Sequence, residues 1–164
     1  MSREDLKAAN RRDKKRLVDQ GQAHAILVFD GDDPVGWCQY GTKEELSRID
    51  AGRGYKKVGP PKEDSAVWRF TCFYVKKSAR GKGVSKFALS EAIDSIRRKG
   101  GGIAEAYPVV SKRMAAVPEW RWFGTPNMFR REGFRVVAPL GKSWVLMRKV
   151  ILPVPISGGG KRES

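Results

Sequence analysis

The chain has 164 residues, the size of a single domain, and carries a formal net charge of +15 from 33 Lys and Arg against 18 Asp and Glu. Its hydrophobic fraction of 40% predicts a folded core, and its apolar runs are far shorter than the roughly 20 residues of a membrane span. Two cysteines and one histidine are too few for a disulfide scaffold or a four-ligand zinc site, so we expect no protein-held metal.

Two helices, a hairpin and a loop are predicted in the first part of the chain. In chain order these are a helix over 2–19, strands over 23–29 and 35–40 around a turn at 30–34, a helix over 42–49 and a loop over 50–65. Ser2 with Asp5, and more clearly Thr42 with Glu45, have the spacing of a helix-capping box. Glycines and prolines predict the loop.

The second part contains the strongest strand and the best helix. Its predicted elements are a strand over 67–75, a basic turn over 76–81, a helix over 82–99, a strand over 103–109, an irregular loop over 110–123, a short helix over 125–132, and a hairpin of strands 134–138 and 144–150. Aromatic and β-branched residues favour the first of these strands. Val84, Ala88 and Ala92 form an apolar stripe on the long helix, with cations opposite.

The positive charge is concentrated in the second half. Residues 20–75 carry 7 basic and 8 acidic side chains, or −1, whereas residues 76–149 carry 17 basic and 5 acidic, or +12. A field of this sign concentrates nucleotides, coenzymes, RNA, DNA or acidic membrane surfaces. Solubility alone is the competing explanation.

The basic turn before the long helix has the features of an anion site. Unpaired backbone amides at a helix start, where the helix dipole is positive, suit a pyrophosphate. Gly81 and Gly83 remove β-carbons that would block close approach, while Arg80 and Lys82 add charge. The spacing matches neither the Walker A motif nor the Rossmann fingerprint. A glycine-rich helix start without a ligand is the alternative.

The run Arg80-Gly81-Lys82-Gly83-Val84-Ser85 resembles the Arg/Gln-x-x-Gly-x-Gly/Ala loop of the GCN5-related N-acetyltransferases, the GNAT superfamily. The order of elements is also similar, and residues 125–134 resemble the family's fourth helix, which ends in Gly-Phe. The resemblance covers roughly residues 5–150. Residues 105–109, Glu-Ala-Tyr-Pro-Val, look like a small bacterial branch of unknown acceptor.

The resemblance implies an α/β fold with a mixed, mostly antiparallel central sheet flanked by helices. The sheet should splay between the family's strands four and five, here the strands predicted at 67–75 and 103–109. Residues 1–152 would form the acetyltransferase domain, with a disordered tail over 153–164. Because the chain begins at the helix before the family's second strand, we expect the first strand to be missing, trimmed or supplied by a partner.

The resemblance also implies direct transfer of an acetyl group from acetyl-CoA, as co-substrate, to an amine. Pantetheine would pair with the backbone of the fourth strand, and the pyrophosphate would lie on the loop amides. The implied coenzyme-binding residues are Phe73, Tyr74, Val75, Arg80, Gly81, Lys82, Gly83, Val84, Ser85, Asn127 and Phe129. Ser85 replaces the usual Gly or Ala. Phe129 stands where many members have the tyrosine that protonates the leaving thiolate.

Glu105 and Tyr107 are the candidate catalytic residues. A carboxylate at the strand splay could deprotonate an ammonium acceptor, and an apolar setting would raise its pKa toward the working range. An ion pair with a basic neighbour is the alternative for Glu105. Tyr107 could donate a proton or orient the acceptor, or it could be a tyrosine at the edge of the core.

Aromatic and basic residues alternate in the segment 120–123, Trp-Arg-Trp-Phe, which follows Lys112 and Arg113. The segment could stack on bases as part of an RNA- or DNA-binding protein without catalysis, or it could be a lid over the acceptor; we favour the lid. Cys38 and Cys72 are expected to be buried apolar residues on adjacent strands. We expect a cytoplasmic monomer or homodimer that does not bind membranes.

Overall fold

The computed structural model describes residues 2–155, without the side chains of residues 118–120. Most of the predicted tail, residues 156–164, lies outside the described residues. The helices are α1 Arg3–Asp19, α2 Arg53–Val58, α3 Val84–Arg98, α4 Lys112–Ala115 and α5 Pro126–Arg131, and 3-10 helices occupy Ser47–Ala51, Lys77–Ala79 and Pro118–Phe123. The strands are β1 His24–Asp30, β2 Asp33–Thr42, β3 Val67–Val75, β4 Gly102–Ala106, β5 Arg135–Pro139 and β6 Val145–Ile151. The predicted α/β class is therefore confirmed.

One six-stranded sheet organises the described residues, in the order β1-β2-β3-β4-β6-β5. The pair β3–β4 is parallel, and the other neighbouring pairs are antiparallel. This is the mixed, mostly antiparallel sheet predicted from the sequence. The parallel pair follows from the connection through α3, since a parallel strand requires a crossover.

The sheet splits beside the carboxyl end of β3. Strand β3 pairs with β4 only over Val67–Phe70, whereas its pairing with β2 continues to Val75. The register of β2 against β3 shifts at Thr71, which forms a bulge. A bulge bends its strand, so the last part of β3 diverges from β4, and the expected splay is confirmed.

The core lies between α3 and one face of the sheet. The buried residues of α3 are Ala88, Leu89, Ala92, Ile93 and Ile96, which include most of the predicted stripe. The bulge places Phe70 and Phe73 on the same face although they are three positions apart, and their rings stack at 6.4 Å. Phe129 and Phe134 complete this aromatic cluster.

The segment predicted as a loop over 50–65 contains a helix, α2. Gly54 was expected to break helical structure, but here it allows close contact: a Cβ on it would lie 3.0 Å from the Leu140 Cα atom. Tyr55 is buried beside it. The prediction of an uninterrupted loop is wrong because tertiary packing, rather than local propensity, stabilises this helix.

The helix predicted over 42–49 is also different in the structure. The capping contacts of Thr42 and Glu45 form, with the Thr42 amide donating to Glu45 Oε2 at 2.9 Å. They are followed by a turn and the 3-10 helix Ser47–Ala51 rather than by an α-helix. The strand predicted over 103–109 ends at Ala106, and Val109 forms an isolated bridge with Trp144.

Helix α1 lies on the surface as predicted. None of its residues is buried, and Ser2 and Asp5 form the expected capping box, with the Asp5 amide donating to Ser2 Oγ at 3.1 Å. Within residues 2–155 no helix is both long and apolar enough to cross a lipid bilayer.

Candidate functional site

A cleft of about 590 Å³ opens where β3 diverges from β4. It is lined by Phe73, Tyr74, Val75, Ala79, Arg80, Gly81, Gly83, Val84, Ser85, Lys86, Arg121, Trp122, Gly124, Thr125 and Met128. The end of β3 and residues 79–86, which we call the phosphate loop, contribute to this lining, as do residues 121–128. Of the predicted coenzyme-binding residues, all but Lys82, Asn127 and Phe129 line the cleft.

The amides at the start of α3 lie on this cleft. The helical ladder begins with the Phe87 amide, which donates to the Gly83 carbonyl oxygen at 3.0 Å. The four preceding amides, those of residues 83–86, therefore have no acceptor within the helix, and no side chain caps this end. All four residues line the cleft. The helix start thus presents donors and the positive end of its dipole to any anion in the cleft.

Backbone conformation explains the two glycines of the phosphate loop. Gly81 has φ +75° and Gly83 φ +80°, in the left-handed region that favours glycine. A Cβ on either residue would meet no atom of the described residues within 4 Å. The glycines are therefore required by the turn itself, and the space in front of them is open for a ligand.

The described lining of the cleft is positively charged. Arg80, Lys86 and Arg121 contribute cations, and none of the described lining residues is acidic. Arg80 is oriented by its own strand end, because its Nε donates to the Val75 carbonyl oxygen at 3.3 Å. Such a lining fits a ligand with several negative charges.

Three residues predicted to bind the coenzyme, Lys82, Asn127 and Phe129, are not part of the described lining of the cleft. Lys82 is exposed. Asn127 is exposed, and its Oδ1 accepts from Arg130 at 3.1 Å. The ring of Phe129 is fully buried, edge-on to Phe73 with ring centroids 5.8 Å apart. The ring of Phe129 therefore fills the core beneath the cleft rather than its described lining, and contact of Phe129 with a coenzyme stays a prediction.

Glu105 is fully buried in a network of charged and hydroxyl groups. Its Oε1 accepts from Nε of Arg148 at 2.9 Å, and its Oε2 accepts from the hydroxyls of Tyr55 at 2.9 Å and Tyr107 at 2.8 Å. The Nε atom of Arg69, also fully buried, lies 3.5 Å from Oε2. A carboxylate has about four acceptor positions, and this one has a donor or cation at nearly all of them.

The network extends to the segment before α2. Arg69 donates to both carboxylate oxygens of Asp50, at 2.7 and 3.2 Å, and to the Leu46 carbonyl oxygen at 2.8 Å. Hydrogen bonding to Arg69 lowers the pKa of Asp50. Burial raises the pKa of Tyr107, and the neighbouring charge of Glu105 raises it further, so its hydroxyl keeps its proton and stays a donor.

These contacts correct the expected surroundings of Glu105. The setting is not apolar, since two arginines flank the carboxylate, and the alternative of an ion pair is confirmed. Neither Glu105 nor Tyr107 is part of the described lining of the cleft. The sequence did not reveal the partners, although Arg69 and Arg148 occupy register positions directly beside Glu105 on β3 and β6.

Three hydroxyl groups belong to residues that line the cleft, Tyr74, Ser85 and Thr125. Tyr74 is about half exposed. Thr125 accepts the Met128 amide through Oγ1 at 3.2 Å, which leaves its own proton available to another acceptor. These hydroxyls are better placed than Tyr107 to meet a ligand in the cleft.

The cysteines lie on adjacent strands, as predicted. Cys38 on β2 is fully buried, and burial raises the pKa of its thiol well above the usual range. Cys72 on β3 is half-buried, and burial raises the pKa of this thiol too. Neither residue lines the cleft, so the expected apolar role fits both positions.

A split sheet beside a basic helix start with free amides is the arrangement that α/β proteins use to hold a phosphate-containing ligand. A family model, the acetyltransferase (GNAT) family, matches residues 2–124. The chain therefore belongs to the GNAT acetyltransferases, a family whose members use acetyl-CoA.

Solved structures show the same fold at low sequence identity. A structure described as a GNAT-family acetyltransferase from Desulfovibrio desulfuricans is 16% identical, with 92% of this chain and 83% of that chain covered and a TM-score of 0.57. The ribosomal-protein-alanine N-acetyltransferase of Brucella melitensis is 16% identical, with coverage of 87% and 77% and a TM-score of 0.56. The NatC complex bound to Gag peptide and CoA is 15% identical, with coverage of 87% and 78% and a TM-score of 0.50. The comparison with curated proteins found no match.

Proposed function

We propose that this protein transfers the acetyl group of acetyl-CoA directly to an amine acceptor. The observation that carries the proposal is the cleft at the split of the sheet, where four free amides at the start of α3 meet a lining of cations. Family membership supplies the reaction class, and the cleft supplies a fitting site for the coenzyme. The phosphate loop would bind the pyrophosphate, and the backbone of Phe73–Val75 would pair with pantetheine.

The cations and free backbone groups of the cleft fit acetyl-CoA in charge and in hydrogen-bonding capacity. Acetyl-CoA supplies an activated acetyl thioester, from which an amine takes the acetyl group as an amide while CoA leaves as a thiol. Backbone amides that point at a diphosphate give charge-assisted hydrogen bonds, each worth about 1.5–3 kcal/mol. Beyond Phe70 the inner edge of β3 has no pairing with β4, so backbone groups before the Val75 carbonyl oxygen, which accepts from Arg80, are left for the amides of pantetheine.

An amine acceptor must lose a proton before it attacks, because its pKa lies above neutrality. Within the described lining no carboxylate is available to take this proton. We propose that water in the open cleft takes it, with Glu105 acting at a distance by holding Tyr107 and the end of β4 in place. Glu105→Gln separates this mechanism from the alternative in which Glu105 itself is the base.

The departing thiolate can be stabilised by a hydroxyl of the cleft. Ser85 and Thr125 line it, whereas the buried hydroxyl of Tyr107 donates to Glu105. A thiol has a pKa of roughly 8–9, so the thiolate is a tolerable leaving group without full protonation. This permits turnover even though Phe129 has no hydroxyl to donate.

Replacement of Gly83 tests the coenzyme site. Gly83→Glu would place an anion in front of the free amides and exclude the pyrophosphate. Loss of two charge-assisted hydrogen bonds should raise the Kd of acetyl-CoA, measured by calorimetry, by more than about a hundredfold. A screen of amines, peptide N-termini and lysine peptides, read by release of CoA thiol, would then identify the acceptor.

Gly31→Glu is the matched control. Gly31 also has a positive φ, +59°, and a Cβ added to it would meet no described atom within 4 Å. It lies in the β1–β2 turn, outside the described lining of the cleft. The two variants therefore carry the same side chain and similar backbone strain. If folded Gly83→Glu protein binds acetyl-CoA as tightly as Gly31→Glu does, the proposed coenzyme site is wrong.

A further inference from the structure

The cleft has a second wall, which consists of the end of the 3-10 helix Pro118–Phe123 and the residues after it. Arg121 and Trp122 line the same cavity as the phosphate loop and the end of β3. The 3-10 helix also packs against β3. Arg121 and Trp122 of the aromatic and basic segment thus lie on the cleft itself, rather than on a surface remote from it.

Neighbouring contacts hold this wall in place. Phe123 packs edge-on against Trp144, with ring centroids 4.8 Å apart, and joins the buried cluster around Tyr107. Arg121 donates from Nε to the Ala115 carbonyl oxygen at 3.0 Å. Phe123 is therefore an anchor, and the two preceding side chains are positioned at the cleft.

Arg121 and Trp122 retain the capacity to bind a ligand. Trp122 is 50% exposed, which leaves a large aromatic surface that a ligand could cover. Among the described residues, the bond to Ala115 uses Nε of Arg121, which leaves the two terminal nitrogens to pair with two phosphate oxygens. An aromatic surface beside a cation suits acetyl-CoA, in which the largely apolar pantetheine chain is joined directly to a diphosphate.

We propose that Arg121 and Trp122 form the second wall of the coenzyme site, with Trp122 covering the pantetheine arm and Arg121 pairing with the pyrophosphate opposite the free amides of α3. The assignment follows from position, since Trp122 belongs to the wall that packs on β3 and Arg121 adds its charge to a cavity already lined by Arg80 and Lys86. It rests on the proposed function, namely that the cleft binds acetyl-CoA. It replaces both the acceptor lid and the base-stacking surface as the role of this segment.

Binding of two ligands, acetyl-CoA and acetyl-pantetheine, distinguishes the proposed contact of Trp122 with pantetheine from that of Arg121 with the pyrophosphate. Acetyl-CoA carries both the diphosphate and the pantetheine arm, whereas acetyl-pantetheine carries only the arm. Trp122→Ala should raise the Kd of both ligands about tenfold, because the covered apolar surface is common to them. Arg121→Ala should raise the Kd of acetyl-CoA about tenfold and leave that of acetyl-pantetheine unchanged. Acetyl-CoA should also change the tryptophan emission of the wild type much more than that of Trp122→Ala.

Controls match each substitution. Phe29→Ala removes an aromatic ring that is 54% exposed on β1, and Arg113→Ala removes an exposed cation from α4, both outside the cleft. Circular dichroism would confirm that all variants fold. If the wild type binds acetyl-CoA but Arg121→Ala and Trp122→Ala bind both ligands as tightly as their controls, the second wall is refuted. A raised KM for the acceptor with unchanged coenzyme Kd would also refute it, in favour of an acceptor lid. If the wild type fails to bind acetyl-CoA, the proposed function itself is wrong.

Discussion

Glu105→Gln separates a structural role of this carboxylate from a catalytic one. The substitution keeps the shape of the side chain and removes its charge. In the buried network, two carboxylates, Asp50 and Glu105, face two guanidinium groups, Arg69 and Arg148. The variant would leave Arg69 paired with Asp50 but would remove the carboxylate that pairs with Arg148, and its new amide hydrogens would face donors from Tyr55, Tyr107 or Arg148.

The magnitude follows from burial. Removal of one partner of a buried ion pair costs about 3–5 kcal/mol. Arg148 keeps 17% of its side chain exposed and its bond to the Gly59 carbonyl oxygen, so we expect the lower end, about 3 kcal/mol. For a domain of this size, about 2–4 °C is lost per kcal/mol, which corresponds to a fall in Tm of about 6–12 °C. A typical stability of about 5–15 kcal/mol leaves the variant folded at 25 °C.

The assay combines thermal unfolding with kcat/KM across pH, using the acceptor found by screening. Glu44→Gln, at an exposed position, is the control for the chemical change. If Glu105 is structural, the folded variant keeps kcat/KM within about tenfold of the wild type and retains the acidic limb of the pH profile. A loss of about 10²–10⁴ together with disappearance of that limb would identify Glu105 as the base and refute the structural interpretation.

Two further substitutions and one titration test other parts of the structure. The Phe129 Cζ atom lies 3.2 Å from where a Cβ on Gly124 would stand, so Phe129→Tyr would direct its hydroxyl toward the cleft wall. We expect this variant to have an unchanged or higher kcat, and the control Phe134→Tyr, in the same aromatic cluster, to leave kcat unchanged. A tenfold fall in kcat specific to Phe129→Tyr would contradict this prediction. If the basic half serves the coenzyme and solubility, tRNA and duplex DNA should bind only at low salt, with affinity falling log-linearly as salt rises. Nucleic acid binding at about 0.15 M salt that Arg121→Ala abolishes would instead support the nucleic-acid-binding alternative.

The elements around the phosphate loop were predictable because their signals are local. The strand over 67–75 has the predicted bounds, and the helix predicted over 82–99 spans Val84–Arg98. A run of aromatic and β-branched residues, an apolar stripe and a turn with two glycines are properties of short stretches of chain. The same stretches carry the family's motif, so both the fold and most of the proposed coenzyme site could be inferred without coordinates.

The surroundings of individual side chains depended on tertiary structure. Glu105 was expected in an apolar setting, yet Arg148 reaches it from 43 positions away and Tyr55 from 50. Helix α2 packs against Leu140 at Gly54, and the buried ring of Phe129 lies edge-on to Phe73, which the bulge in β3 places on the core face. Each of these outcomes arises where distant segments meet. Burial and the choice of hydrogen-bond partner are decided by that packing, and no local pattern in the sequence encodes them.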